Sequence, residues 1–432
     1  MSTEQQSKNV LYIAENALSE IQGGGIVAYA VLKGISPSKI LGFFDYQNIT
    51  PVPELAERFH LLRRWRFLDN VQFVQPVAYK LLGKIHWSLK LPAMLYFFFI
   101  NNIWLVLFLP LLARRDLSYV RRQVEENGFR PELVYFSGLS LRYLRLAVDL
   151  SRHYDVPMAV LHMDDWMERE KRQLGRFLGS YWFSQIVKYM TLAARRSLAS
   201  TTNSPGLARV VTGMTGCEHK PANNCCADLM KGADADGGKA NPIPVITYAG
   251  AMNPELQGAS LVILSRAVAE LNAEGTKVRL DIYTPWEFAA LANEIQIPNA
   301  VHYRGQAGRH ELADIYLRSD FLVTTTSFDV RDLVLFRHSL STKLSEYLCV
   351  GKPVISVGHL SWHLHEYVQE HRCGFSIYDK ELTKVKAELR RILATPREEL
   401  AEIGRRNRIL WEKAHDVAVM SRETRGAVGL PL

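Results

Sequence analysis

Short apolar blocks alternate with longer stretches at helical spacing through this 432-residue chain, a pattern that predicts an α/β protein. Val10-Leu-Tyr-Ile-Ala14 is an unbroken apolar run, the signature of a buried strand. Gly23-Gly-Gly25 follows and opens an apolar helix through about Leu32, a strand–glycine turn–helix unit. Leu133–Phe136 and Met158–Leu161 read as later strands of the same domain. Apolar periodicity fades after about Val211, and Gly, Ala, Asn, Asp and Pro dominate up to Pro244. It resumes in a helix from Leu256 to about Ala273 that ends near Gly275. From Lys380 the chain is amphipathic and helical through Leu389, Ile392, Leu393, Leu400, Ile403 and Leu410, with a break at Thr395-Pro396.

The richest chemistry lies between Ser339 and Ile355, which reads as a helix, a Gly-Lys-Pro turn and a buried strand. Ser339 and Ser341 carry hydroxyls suited to a helix N-cap. Unpaired amides and the positive end of the dipole, at Ser341–Thr342, make that terminus a seat for a diphosphate. Lys343 adds a cation in the first turn, and Glu346 follows on the same face, able to accept from two vicinal hydroxyls such as those of a ribose. A phosphate grip and a diol grip on one helix face describe a nucleotide-sugar site. In a doubly wound sheet, ligands bind beyond the carboxyl ends of the strands. His162, Asp164 and Asp165 follow the strand at Met158–Leu161 and fall at such an end; a helix cap at Asp165 and a satisfied strand-end histidine are the plainer alternatives.

The net charge of +8 favours anionic partners, among them sugar nucleotides, lipid phosphates and a membrane surface, and no nucleic-acid-binding motif is present. Five cysteines and a polar N-terminus point to the cytoplasm. Residues 91–112 are uncharged over roughly the 20 residues a membrane span needs, yet carry Asn101 and Asn102 centrally and Pro92 and Pro110 at the ends. A span, an interfacial helix and a buried core segment all remain open there, and either membrane version would place the protein peripherally on the inner face of a membrane or in it. Arg63-Arg-Trp-Arg66 and the aromatic, basic stretch from Lys171 to Arg196 suit an anionic bilayer surface or an ordinary basic helix. Asp234-Ala-Asp236 sits in a Gly-Ala stretch without a preceding strand and reads as a solvated loop; Cys217, His219, Cys225 and Cys226 lack structural zinc spacing, so no metal is expected.

The run Ser-x-x-Lys-Leu-x-Glu-Tyr-Leu-x-x-Gly-Lys-Pro-Val-Ile resembles the donor-site helix of GT-B glycosyltransferases, especially the group 1, family-four enzymes. Further landmarks follow the family's order: Val245–Gly250 resembles the strand opening the second domain, Val278–Thr284 the second strand and Val301–Gly305 the third. Glu311–Asp320 then leads into Phe321–Thr324. The resemblance covers roughly 245–378 well and the first 210 residues loosely. It implies two Rossmann-like domains facing across a cleft: an acceptor domain at 1–205, a linker at 206–244, a nucleotide-sugar donor domain at 245–405, and a C-terminal helix in 406–432 crossing back. Trp411 to about Val419 is the natural candidate for the crossing. Ser204 resembles the serine that closes the first domain.

The resemblance also implies sugar transfer from a nucleotide sugar to a hydroxyl of a glycan or lipid-linked glycan, with retention and without a metal. Gly23, Gly24 and Gly25 would face the donor's phosphates, His162 the transferred sugar, and Gly250, Arg304, Gly305, His338, Ser339, Ser341, Thr342, Lys343 and Glu346 the donor. Two departures stand out. The loop Gly250–Gly258 holds neither the Arg nor the Lys the family commonly places there, and the earlier of its paired glutamates is His338 here. Lys343, helped by Arg337 or Arg304, would then carry the phosphate charge, unless the scaffold is a catalytically silent subunit docked on a membrane partner. A nucleotide-sugar epimerase or hydrolase using Asp164 and Asp165 is the third reading.

Overall fold

The computed structural model describes residues 7–18, 23–44, 52–62, 104–173, 175–230 and 241–431. They divide into two units: Met1–Thr202 with Ala208–Pro221 and Glu423–Leu432, and Asn203–Leu207 with Ala222–Arg422.

Among the described residues the first unit has seven strands: β1 (Val10–Ala14), β2 (Ile40–Phe44), β3 (Phe59–Leu61), β4 (Leu133–Gly138), β5 (Met158–His162), β6 (Ser197–Thr202) and β7 (Lys220–Pro221). All pair in parallel in the order β3-β2-β1-β4-β5-β6-β7. β1 is buried along its whole length, as its unbroken apolar run requires of a strand covered on both faces. Val10 registers with Ile40 on one side and Leu133 on the other. The chain winds outward from β1 to β3 and resumes on the opposite side at β4, so the winding reverses between β1 and β4. The helix Gly23–Leu32 follows β1, as the glycine run predicts. Helix Leu141–Tyr154 buries Leu141, Leu144, Val148 and Ser151, one face at helical spacing, and ends on Asp155 in the left-handed region.

The apolar segment at 91–112 lies outside the described residues up to 103, as do Arg63–Arg66 and Asp234–Asp236. Its last residues belong to the helix Trp104–Glu126, which runs on through Arg114, Arg115 and Asp116. Among the described residues no helix is long and apolar enough to cross a membrane. The basic, aromatic stretch forms parts of two helices, Trp166–Gln173 and Gly175–Arg196. Trp182 is buried there while Tyr181 is half exposed.

Among the described residues the second unit carries six parallel strands, β8 (Val245–Ala249), β9 (Arg279–Tyr283), β10 (Val301–Tyr303), β11 (Phe321–Thr325), β12 (Val354–Val357) and β13 (Gly374–Ile377), in the order β10-β9-β8-β11-β12-β13. Here the winding reverses between β8 and β11. One core cluster joins these strands to helices Ala259–Ala273 and Leu382–Leu393 through Leu264, Val268, Val385 and Leu389. A second gathers Leu344, Tyr347, Leu348, Tyr367 and Trp411.

The sequence reading of 206–244 as a linker needs correction at its start. Pro205–Thr215 is helical and Lys220–Pro221 is the last strand of the first sheet. Gly206 and Gly213 weaken the local helical signal, yet tertiary packing buries Leu207 and Val211. At the other end the chain breaks at His415-Asp416, between helices Arg397–Ala414 and Val417–Val428. Trp411 is buried in the second unit, and only Glu423–Leu432 return to the first, where Arg425 donates to the Val31 carbonyl and Lys8 to that of Val428.

Candidate functional site

In the second unit the helix Thr342–Cys349 follows β11 and carries the residues that point to a nucleotide. Ser341 is its N-cap, but no side-chain cap bond forms; the Ser341 hydroxyl instead accepts from Thr324 Oγ1 at 3.1 Å. Ser339 caps nothing either, being buried with its hydroxyl unpartnered. The helix is therefore fastened to the end of β11 and keeps its first-turn amides beside the exposed Thr342.

Lys343 reaches from this helix to the carboxyl end of β8. Its Nζ donates to Tyr248 Oη at 3.1 Å and lies 4.4 Å from that ring's centre. Tyr248 is fully buried and donates its own proton to the Ala251 carbonyl. Gly250 follows at φ +140°, and a Cβ there would collide with Lys343 Cε. Burial pulls the half-buried ammonium down to about 8, with Glu346 acting in the opposite sense. Glu346, one turn along, accepts from Tyr316 Oη at 3.0 Å. Burial raises its pKa, against the Tyr316 hydrogen bond and the charges of Arg309 and Lys343. This ammonium and this carboxylate stand at the reversal between β8 and β11, where open parallel sheets bind ligands.

Other residues expected at the donor site have partners of their own. Gly305 follows β10 at φ +86°, a backbone state that favours glycine, and its carbonyl accepts the Thr284 N–H at 3.1 Å. Arg304 does not project a spare cation. Its Nε donates to Asp281 Oδ1 at 2.9 Å while Arg279 Nε takes Asp281 Oδ2 at 3.0 Å, so the buried Asp281 holds both guanidinium groups. Arg337 is exposed. The His338 carbonyl accepts from the Ser204 hydroxyl, which also receives the Leu207 N–H at 3.1 Å. Gly206 N–H donates to His363 Nε2 at 3.0 Å, which leaves the proton on Nδ1 to reach Glu366 at 2.8 Å. Segment 203–207 is thus pinned beside the start of helix Thr342–Cys349. The loop after β8 closes as a turn at Pro254–Gly258, with Asn253 accepting the Glu255 N–H.

In the first unit Gly23, Gly24 and Gly25 form the opening turn of their helix, after β1. His162 ends β5 fully buried, with both ring nitrogens unpartnered. Phe136, Trp166 and His219 surround it with ring centres at 5.9, 6.4 and 5.7 Å. Burial and the neighbouring His219 hold its pKa down to about 3, so the imidazole is neutral. Asp164 adopts the left-handed region at φ +55°, and Asp165 is buried at the start of helix Trp166–Gln173. His219 Nδ1 bonds the Cys217 carbonyl, while Cys226 Sγ receives the Trp411 indole N–H. Among the described residues no group of three or more His, Cys, Asp or Glu side chains could hold a metal ion.

Two acids escaped the sequence reading. Glu15 follows β1 at the reversal beside β4 and accepts from the Leu139 N–H at 2.8 Å and the Ser140 hydroxyl. Glu170 accepts from the Trp182 indole at 2.7 Å. Burial lifts each to about 7, and the charge of Arg169, which also donates to the Leu139 carbonyl, pulls both down. An acidic residue directly after a buried strand was the available signal for Glu15.

Residues 243–395 match the family described as Glycosyl transferases group 1. Among curated proteins none matches the chain. Solved structures match along nearly its whole length. HepE of Anabaena, solved with UDP, shares 13% identity over 97% of this chain and 98% of its own, with a TM-score of 0.61. The lipopolysaccharide outer core galactosyltransferase WaaB shares 13% over 97% and 98%, at 0.59. An α,α-trehalose-phosphate synthase (UDP-forming) from Burkholderia xenovorans, solved with glucose-6-phosphate, shares 11% over 97% and 99%, at 0.62. At these identities the likeness establishes the fold, which is GT-B.

Proposed function

Residues 243–395 being a group 1 glycosyltransferase domain on a GT-B fold, we propose that the protein moves a sugar from a nucleoside diphosphate sugar to a hydroxyl of a surface polysaccharide or lipid-linked glycan. The observation that carries this is Lys343, brought by a helix N-terminus to the end of β8 against Gly250, with Glu346 one turn behind. Departure of the diphosphate leaves negative charge on its oxygens and positive charge on the anomeric carbon. Lys343 and the amides at Ser341–Thr342 stabilise the former, more strongly in a half-buried site than in water. Glu346, already a hydrogen-bond acceptor for Tyr316, receives the ribose hydroxyls. Arg304 is committed to Asp281, so Lys343 carries the phosphate charge with the helix terminus and without a second cation from β10.

Binding of UDP by the neighbour HepE makes a uridine nucleotide the first donor to test. Retention of configuration, work without a metal and a cytoplasmic, membrane-peripheral location complete the proposal and rest on the family resemblance and on the charge of the chain. The test is incubation of purified protein with a panel of radiolabelled nucleotide sugars and glycan or lipid-linked acceptors, with and without chelator. Acceptor-dependent, chelator-resistant release of nucleoside diphosphate supports it; hydrolysis or epimerisation alone sinks it. One observation favours a silent binding subunit instead, the absence of Arg and Lys from Gly250–Gly258. Nucleotide binding without turnover on any acceptor is its signature.

A further inference from the structure

We propose that Tyr248 is the positioning residue of the site, its phenol aiming the Lys343 ammonium at the donor's diphosphate. The inference rests on the nucleotide-sugar reading and adds a residue that reading does not contain. An unanchored lysine is a flexible point charge with several rotatable bonds, and ordering it costs entropy each time a ligand binds. Here the ammonium is already ordered in two ways. It donates to Tyr248 Oη at 3.1 Å, and it lies 4.4 Å from the centre of the same ring, within the range of a cation–π contact.

Tyr248 can serve as an anchor because it cannot itself move. It is fully buried in β8, its hydroxyl proton is committed to the Ala251 carbonyl, and its oxygen therefore faces Lys343 as an acceptor. Burial raises the phenol's pKa, so it stays neutral. Gly250 completes the arrangement, since any Cβ there would occupy the space of Lys343 Cε. One ammonium proton goes to the phenol, and two remain for phosphate oxygens. Among the described residues the groups facing the ammonium are Tyr248 of β8 and, on its own helix, Glu346. Arg309 and Tyr316, from the segment before β11, act on Glu346.

The test separates hydroxyl from ring with Tyr248→Phe and Tyr248→Leu, each checked for folding by circular dichroism. Two readouts are taken. The first is the titration of Lys343 in the ligand-free protein, from the pH dependence of its acetylation read by mass spectrometry. The second is UDP affinity by calorimetry from pH 6 to 9.5. Tyr248→Phe is expected to move the Lys343 midpoint below the wild-type value of about 8, because the charged form loses an acceptor, and to weaken UDP about tenfold at pH 7. Tyr248→Leu is expected to do more of both. Wild-type midpoint and affinity in both variants overturn the proposal, and so does tighter UDP binding in Tyr248→Phe, which would mean the phenol restrains the lysine. If wild type binds no nucleotide, the functional reading fails, and the acetylation profile alone still decides whether Tyr248 holds the ammonium.

Discussion

Replacing Lys343 with methionine should make the protein more stable while removing the proposed nucleotide binding. Methionine keeps most of the stem's volume and flexibility and deletes the charge. In the folded protein the ammonium's pKa falls from 10.5 to about 8, a difference of ~2.5 units. At 1.36 kcal/mol per unit that is an upper bound of ~3.4 kcal/mol against the charged form. The side chain is only half-buried, and the variant also loses a charged hydrogen bond and a ring contact and leaves Glu346 one cation fewer. A net gain of about 1–2 kcal/mol at pH 7 remains, on the order of 2–8 °C in Tm for a domain of this size.

The sign follows from proton binding. Between pH 8 and 10.5 the unfolded lysine keeps the proton that the folded one releases, so wild-type stability rises across that window. The advantage of Lys343→Met should accordingly be full below pH 8 and fade as pH rises towards 10.5. Urea unfolding at pH 7 and pH 10, with the transitions of the two units fitted separately, measures both points. A variant less stable than wild type at pH 7 by more than 1 kcal/mol would refute the reasoning, since the contacts with Tyr248 would then outweigh the burial of charge.

Two further substitutions probe the acids that burial and pairing perturb. Glu15 titrates near 7 when folded and near 4.5 when unfolded, so its charging costs stability as pH rises through that interval; Glu15→Gln should match wild type at pH 4 and exceed it by about 1–2 kcal/mol at pH 8 in thermal unfolding. Asp228 is held down to about 2 chiefly by its hydrogen bonds from Arg408, which also donates to the Cys349 carbonyl at the end of helix Thr342–Cys349. That stability is present above pH 4 and lost as pH falls through 2, so Asp228→Asn should cost about 1–2 kcal/mol at pH 7 and little at pH 1.5.

The elements that could be read from the sequence were those whose signals are local. β1 ends at the residues its apolar run predicts, the helix Gly23–Leu32 starts at its glycines, and the helix Thr342–Cys349 and β12 follow Ser341 in the expected order. The carboxylate of Glu346 and the ammonium of Lys343 fall on one face because they lie three residues apart. What stayed hidden depends on partners distant in the chain. Tyr248 reads as one more apolar strand residue until Lys343, 95 positions later, arrives at its hydroxyl. Arg304 looks like a phosphate ligand until Asp281, 23 positions earlier, claims it. Glu15 acquires its environment from Leu139 and Ser140, across more than a hundred residues. β7 is two residues long, and no hydrophobic period is detectable over so short a strand.

The central claim is that the helix Thr342–Cys349 seats a nucleoside diphosphate through Lys343. Its most direct test is thermal unfolding of wild type and Lys343→Met with UDP, GDP, ADP, dTDP and CMP in turn. At 100 times its dissociation constant, a ligand of the folded state adds ~2.7 kcal/mol, a shift of several degrees. The expected result is stabilisation of wild type by one diphosphate, UDP first among them, and no shift in Lys343→Met. Equal stabilisation of both proteins, or of neither by any nucleotide, contradicts the account.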